Sequence, residues 1–480
     1  MFEKYQPTPK VYDEMFNKDG SVRPHYTELY KTFDKLDMKN LAARQNRMDD
    51  EMIKQGITFT LYNEDSNALE RTIPFDIIPR IISHDDWTYM QRGLKQRVIA
   101  LNRFIHDIYH EQRICRDGVV PRKQIVTNKY FRPEMMHQNV PGDVYICWSG
   151  IDLIRAGDSD YYVLEDNLRT PSGVSYLYKN RWMMEKLFPE LFFNYHVMNL
   201  DRGLHLFLRA LRSIAPNNNS DPTVVLLTPG RFNSAYFEHT FLAQEMGLIL
   251  AEGQDLKVVN NKVYLKTLHG LRQVDVIYRR IDDDFIDPLA FRPDSMLGVP
   301  GLMNAYRAGN VALANAPGTG FADDKAVYTY VPDIIRYYLN EEPILKNVPT
   351  YTCALEDDRK FVLDNIEKMV VKETSLSGGY GMLIGPHATK EEHEQFRRQI
   401  CERPDDYIAQ PTIQLSAVPT LCDGVIAPRR VDLRPYIALA ANEEINIIPG
   451  GLTRVAMREG SLVVNSSQGG GSKDTWVIEE

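Results

Sequence analysis

Between Thr223 and Asn315 short apolar runs alternate with helical stretches, and this alternation constrains the fold more than any other feature. TVVLLT is a buried-strand run, and TPGRFNSAY follows as a turn and helix start. LILA, VYL and DVIY are further strand runs, and a later helix precedes VALAN. Strands joined through helices lie mainly parallel, because a parallel neighbour is reached only by a crossover. A Rossmann-like layer over residues 221–318 is therefore expected. At roughly 150 residues per domain, the 480-residue chain should hold about three structural units.

Elsewhere the patterning is helical first and strand-like later. Trp87, Met90, Leu94, Val98, Leu101, Ile105 and Ile108 recur at three- and four-residue spacing, which predicts one long helix from Asp86 to about Gln112. Ser83 stands where it can cap the first turn. His106 and His110 lie four apart on that helix, a metal-binding spacing, but the H-E-x-x-H string is absent and they read as rim histidines. Residues 1–70 are polar and read as a helical extension wrapping the body. Beyond the loop NAPGTGFADD, the runs KMVVKE, YGMLIG and YIAQPTI are strands, with a polar helix from Glu391 to Cys401 between the last two. The closing stretch SLVVNSSQGGGSKDTWVI is again sheet-like.

Composition removes several classes of function. The 65 acidic and 56 basic side chains leave a net charge of −9, which argues against a nucleic-acid binder but permits a local cationic pocket. No apolar run approaches the roughly 18–20 residues of a membrane helix, so no membrane partner is expected. MFEKYQPTPK lacks the layout of a signal peptide. Five scattered cysteines without a C-x-x-C fit neither a zinc site nor a disulfide framework. A cytoplasmic setting follows as the expectation.

The stretch IDLIRAGDSDYYVLEDN, Ile151 to Asn167, carries the most chemistry. AGDSD is a turn between two strand runs, so a hairpin is predicted. A turn centred between Asp158 and Ser159 sets Asp152 opposite Glu165. Asn167 then shares the face of Glu165, while Asp166 points the other way. Two carboxylates and an amide oxygen on one face suit Mg²⁺, which takes hard oxygen ligands and leaves room for substrate phosphates. In VVKETSLSGGYGM, Lys372 ends an apolar strand and is followed by Ser377, Gly378 and Gly379. Glycine amides approach phosphate oxygens closely, and a strand-borne lysine adds a fixed positive charge. No Walker string G-x-x-x-x-G-K-[ST] is present. In DDKAVYTYVP, Lys325 begins a helix after a glycine-containing loop.

Lys325, Lys372 with SGGYG, and the Asp152, Glu165 and Asn167 set together resemble the nucleotide and magnesium residues of ATP-grasp ligases. Here the metal hairpin precedes both lysines, an order similar to that of the circularly permuted ATP-grasp proteins related to the synthetase domain of glutathionylspermidine synthase. The strings EDNLRTPSGVSY, NSAYFEHTFLAQEMG, VIYRRIDDDFIDP, GTGFADDKAVYTYVP, GGLTRVA and NSSQGGGSKDTW resemble its uncharacterised bacterial branch, from about residue 70 to 476. The amidase domain and catalytic-cysteine pattern of the polyamine-ligating relative are missing.

The resemblance implies an α/β (α+β) architecture in permuted order. It comprises a helical extension over 1–70, a metal-binding lobe over 71–220, the Rossmann-like layer over 221–318, a small nucleotide lobe over 319–415, and a segment over 416–480 completing the central sheet. It implies ATP and Mg²⁺ as cofactors, with Asp152, Glu165 and Asn167 on the metal and Lys325 and Lys372 on the phosphates. Ser377, Gly378 and Gly379 would cover those phosphates, Gln410 would meet adenine, and Thr170 and Ser172 would stand near the transferred phosphoryl group. Arg169, Arg280 and Arg454 are the catalytic candidates. Of Arg279 and Arg280, one should face the crevice and the other pair with Asp282–Asp284; Arg231 is a further candidate. The implied reaction joins a small-molecule or peptide carboxylate to an amine with release of ADP and phosphate. Two rival readings are an ATP-binding regulator of the same fold and a metallohydrolase built on the histidines.

Overall fold

The computed structural model describes residues 1–62, 68–374, 381–465 and 469–479. In the predicted Rossmann-like layer, Ala312–Ala314, Val276–Arg279, Val224–Leu227 and Ile249–Ala251 form, in that order, a four-stranded parallel sheet. Helix Tyr236–Met246 makes the first crossover and ends at Gly247, whose φ of 65° fits the left-handed C-terminal position that glycine favours. The VYL run does not join this sheet. It lies in Lys262–Thr267, the middle strand of an antiparallel meander with Leu256–Val259 and Gly270–Gln273. Its turn is the pair Asn260–Asn261, both left-handed at φ 51° and 56°, and a two-residue turn permits only an antiparallel neighbour.

A ten-stranded mixed sheet forms the centre. Trp148–Arg155 pairs with Tyr161–Asn167 on one side and with Val425–Arg434 and Tyr436–Leu439 on the other. The sheet continues through Leu452–Val455 and Gly471–Val477 to Phe75–Ile82. Helix His84–Tyr109 starts two residues before the predicted Asp86, with the Ser83 side chain accepting from Asp86 N. It packs its apolar stripe into the body's core, and Arg97 on it grips Asp166 through Nε and Nη2, both at 2.7 Å.

The first 70 residues are less helical than expected. Thr27–Asp34 and Met38–Lys54 are helices, but Phe59–Tyr62 and Ala68–Arg71 pair as antiparallel strands. The segment before them is anchored inside the body, where Glu14 accepts from Arg80 Nε at 2.8 Å and Nη2 at 2.6 Å. The small lobe is a four-stranded antiparallel sheet in the order Tyr351–Thr352, Tyr407–Pro411, Met369–Glu373, Met382–Ile384. Helices Glu356–Asn365 and Lys390–Glu402 accompany it, the latter opened by a Thr389–Glu392 capping box. The lobe has its own apolar cluster around Val362, Met369, Val371, Ile400 and Tyr407.

Candidate active site

The site is built on one face of the central sheet. Asp152 lies opposite Glu165, as the hairpin predicted, but the turn differs from expectation. Ala156 N donates to Asp160 O at 2.9 Å, so the turn is centred on Asp158. Unbulged pairing from that turn would put Leu164 opposite Asp152. A register shift beside Leu164 supplies the extra residue, restores Glu165 to the face of Asp152, and leaves Leu164 and Glu165 both lining the same cavity. Gly150 pairs with Asn167, and Asp166 faces the long helix instead.

Neighbouring strands continue this face as a charged ladder. Leu433 pairs with Leu153, which sets Arg434 beside Asp152 and, by two-residue alternation, Asp432 on the same side. Asp432 pairs with Arg454. Arg434 donates to Asp152 from Nε at 2.6 Å and from Nη2 at 2.8 Å, a bidentate grip. Arg454 Nη2 reaches Asp152 at 2.7 Å, and Arg454 Nε reaches both Asp432 oxygens at 2.9 and 3.1 Å. Burial alone would raise the Asp152 carboxyl, but the two guanidiniums outweigh it and hold it below its ordinary value. Asp432 is raised, because burial there exceeds the pull of Arg454.

Two cavities meet at Glu165 and Lys325, which line both. The first, about 130 Å³, lies between the small lobe and the sheet. Its walls are apolar at Ile154, Leu164, Val348, Val370, Met382 and Ile413, and polar at Lys372, Gln410, Asp432 and Arg454. Lys325 Nζ stands 3.7 Å from Glu165 Oε1. Lys372 Nζ donates to Gln410 Oε1 at 2.7 Å, and Gln410 Nε2 donates to Thr350 Oγ1 at 2.9 Å. Burial pushes the Lys372 ammonium down to about 8; Glu165 opposes this and the like charge of Lys325 adds to it.

The second cavity, about 180 Å³, is lined by Asn167, Arg169, Thr170, Ser172, Asp323 and Arg434 among others. Arg169 Nε donates to Asp323 at 2.8 Å, and its guanidinium lies 4.2 Å from the Tyr130 ring centre. Burial pushes the Asp323 carboxyl up to about 7 against the pull of Arg169. The Asn167 amide is uncommitted: its Nδ2 is buried with no hydrogen-bond partner among the described residues.

Arg280 does not line either cavity. It lies behind the loop, donating from Nη1 to Pro171 O at 2.7 Å and pairing through Nη2 with Glu238 at 3.1 Å. Glu238 Oε2 accepts from Gly173 N at 2.6 Å and from Ser175 N and Oγ, each at 3.1 Å. The parallel layer thus clamps the Pro171–Ser175 turn from below. Arg279 is likewise engaged within the layer, 2.7 Å from Asp283 and bonded to Asn315 O at 2.8 Å, so neither arginine of the pair faces the cavities as expected. Ser377, Gly378 and Gly379 lie outside the described residues. His106 and His110 stack on each other with ring centres 4.2 Å apart, and no metal-holding group of three or more His, Cys, Asp or Glu occurs among the described residues.

Sequence reasoning missed Arg434, Asp432, Asp323, Glu373 and the lining residues Leu462–Asn465. The signal for the first two was present in VDLRPY, where charged residues alternate with apolar ones just before a proline.

An apolar-walled cavity closed by a small antiparallel lobe, with lysines and carboxylates converging at its inner end, defines an ATP-grasp fold; the hairpin carrying Asp152 and Glu165 comes before both lysines in the chain, so the order is permuted. The chain belongs to the circularly permuted ATP-grasp type 2 family, whose profile matches residues 79–456. It is 50% identical over 477 residues to the protein sll0335 of Synechocystis sp., covering 99% of this chain and 98% of that one. To Rv2411c of Mycobacterium tuberculosis it is 51% identical over 468 residues, 98% of this chain and 84% of that one. A Frankia casuarinae protein named "Putative glutamate--cysteine ligase 2-2" is 42% identical over 483 residues, 99% of this chain and 54% of that one. Among solved structures, a glutathione synthetase-like effector of Globodera pallida shares the fold, with a TM-score of 0.58, 10% identity, and coverage of 92% of this chain and 98% of that one. No helix among the described residues is long and apolar enough to cross a membrane.

Proposed function

We propose that the protein is an ATP-dependent ligase joining a carboxylate to an amine. The observation that carries this reading is the meeting of the two cavities at Glu165 and Lys325, one apolar-walled and fit for a base, the other polar, where Arg169, Lys325 and Arg434 can face an anionic group beside the carboxylates of Glu165, Asp323 and Asp324. Membership of an ATP-grasp family and the ligase name of the Frankia relative support it. In this reading the lobes over 71–220, 319–415 and 416–480 enclose the nucleotide, and the layer over 221–318 supports the loop at Pro171.

Each side chain then has a task. Gln410 and the residues after it flank the adenine, Lys325 and Lys372 face the phosphates, and Ser377, Gly378 and Gly379 have the task of contacting those phosphates. Thr170 and Ser172 offer hydroxyls to the transferred phosphoryl group, and Arg169 faces the acid in the second cavity. Arg454 stays with Asp432 at the nucleotide side, and Arg280 positions the loop. Glu165 and Asn167, with Asp152, would hold Mg²⁺, which supplies charge neutralisation at the phosphates. A substrate carboxylate oxygen attacks the γ-phosphorus and ADP leaves. The amine nitrogen then attacks the carbonyl carbon, phosphate leaves, and the nitrogen loses a proton. The chain supplies positioning and positive charge, so no protein nucleophile is required.

Hydroxylamine tests this. Small and nucleophilic at neutral pH, it should intercept the acyl phosphate of the right acid and give a hydroxamate with ADP. The assay offers ATP, Mg²⁺, hydroxylamine and pooled amino acids and peptides, read by mass. Product should vanish in Glu165→Gln. A hydroxamate with AMP would contradict the mechanism, and tight ATP binding with no product across a broad acid library would favour a nucleotide-binding regulator.

A further inference from the structure

Asp152 stands at a junction whose two sides are unequal. Its Oδ1 is taken by Arg434 Nε, and its Oδ2 is shared by Arg434 Nη2 and Arg454 Nη2. These are the oxygens a divalent cation would draw on. If Asp152 turned away, Arg454 would keep a second carboxylate, because Asp432 holds its Nε from both oxygens. Arg434 would keep only the neutral carbonyl of Ser172, 3.3 Å from its Nη1. A largely buried guanidinium that loses its carboxylate is uncompensated and must find another anion or relax into solvent. Arg434 lines the second cavity, where an anion can reach it. Its stem runs over Gly150, where an added Cβ would lie 3.2 Å from Arg434 Cδ, so the absence of a side chain there leaves the guanidinium its room.

We propose that Asp152 exchanges partners: when a divalent cation joins Glu165 and Asn167, the Asp152 carboxylate turns to it and releases Arg434, whose guanidinium then receives the carboxylate of the acid substrate in the second cavity. This rests on the ligase reading and its metal set. In the cation-free protein Asp152 occupies Arg434 as an internal stand-in for the substrate, so acid binding follows loading with cation and nucleotide. By linkage, whatever favours the released arginine also favours the cation.

Arginine-specific labelling reads the exchange without any organic substrate. The full chain is treated with phenylglyoxal, with and without Mn²⁺ as the cation probe, and modification of Arg434 is followed by mass spectrometry. Mn²⁺ should speed Arg434 labelling roughly fivefold or more. In Asp152→Asn, labelling should be fast with or without Mn²⁺. Arg434→Lys keeps the charge but loses the bidentate grip, so it should bind Mn²⁺ more tightly than wild type by a similar factor, read from the electron paramagnetic resonance signal of free Mn²⁺. Unchanged or slower Arg434 labelling with Mn²⁺, in a protein whose Mn²⁺ binding is weakened by Glu165→Gln, would overturn the exchange and leave the metal set standing. Mn²⁺ affinity insensitive to Glu165→Gln would overturn the metal set and the exchange with it. A missing hydroxamate alongside Mn²⁺-dependent labelling would count against the ligase reading alone.

Discussion

ATP affinity should fall with pH through one lysine. Lys372 is the half-buried ammonium at the inner end of the first cavity, bonded to Gln410 at 2.7 Å, and burial sets its titration at about 8. If nucleotide phosphates bind only the charged form, affinity follows the charged fraction, about one half at pH 8 and about 3% at pH 9.5. The expected loss is roughly fifteenfold across that window, or about 1.6 kcal/mol. The window avoids Asp323, which at about 7 is already mostly ionised by pH 8. Destabilisation by Lys372 itself cannot mimic the effect. Between about 8 and the unfolded value of 10.5 the unfolded chain binds more protons, so this group makes the fold more stable as pH rises. Isothermal titration with ATP at constant ionic strength measures the dependence. Lys372→Arg, charged throughout, should bind with a flat profile, and Lys372→Ala should bind about 1.5–3 kcal/mol more weakly at pH 7. An affinity that stays flat from pH 8 to 9.5 in the wild type, or that falls equally in Lys372→Ala, would refute the reasoning.

Two further predictions concern the clamped loop. Glu238→Ala leaves Arg280 buried without its carboxylate and frees the Gly173 and Ser175 amides, so stability should fall by roughly 3–5 kcal/mol in denaturant unfolding. Hydrogen exchange at those amides should accelerate more than exchange in Val224–Leu227. Gly173→Ala meets both a φ of 112° and a Cβ position 2.5 Å from Tyr436 Oη and 2.9 Å from Leu452 Cδ2. It should cost roughly 1–3 kcal/mol in thermal unfolding, and a neutral result would show that the loop is not tightly held.

Local pattern made much of the fold legible. The stripe from Trp87 to Ile108 gave the long helix to within a few residues, and alternating elements gave the parallel layer. VYL misled because strand runs look alike whether a crossover or a two-residue Asn–Asn turn precedes them; the turn chemistry carried the distinction. The facing of Asp152 and Glu165 was read correctly from a turn centre that was wrong. AGDSD offers several turn-forming residues, and the bulge beside Leu164 absorbed the error. Arg454 was a candidate and VDLRPY carried a signal for Arg434, but their pairing with Asp152 was not legible by spacing, since both are brought to it by lateral pairing with strands from the far end of the chain.

That lateral origin also explains why a permuted order can hold the same kind of site. The charged face is assembled across Tyr161–Asn167, Trp148–Arg155, Val425–Arg434 and Leu452–Val455, and cross-strand hydrogen bonds do not depend on which strand comes first in the chain. The entropy of closing the intervening loop grows only as the logarithm of its length, so re-cutting the connections changes little. Register is different. A slip of one residue in Tyr161–Asn167 would turn Glu165 and Asn167 to the helix side and bring Asp166 into the cavity. The bidentate grip of Arg97 on Asp166 opposes that slip, because it would break two charge-assisted hydrogen bonds of 2.7 Å made by a buried guanidinium. The Arg97–Asp166 pair, on the helix side of the strand, therefore helps fix which side chains the other side presents to the cavities.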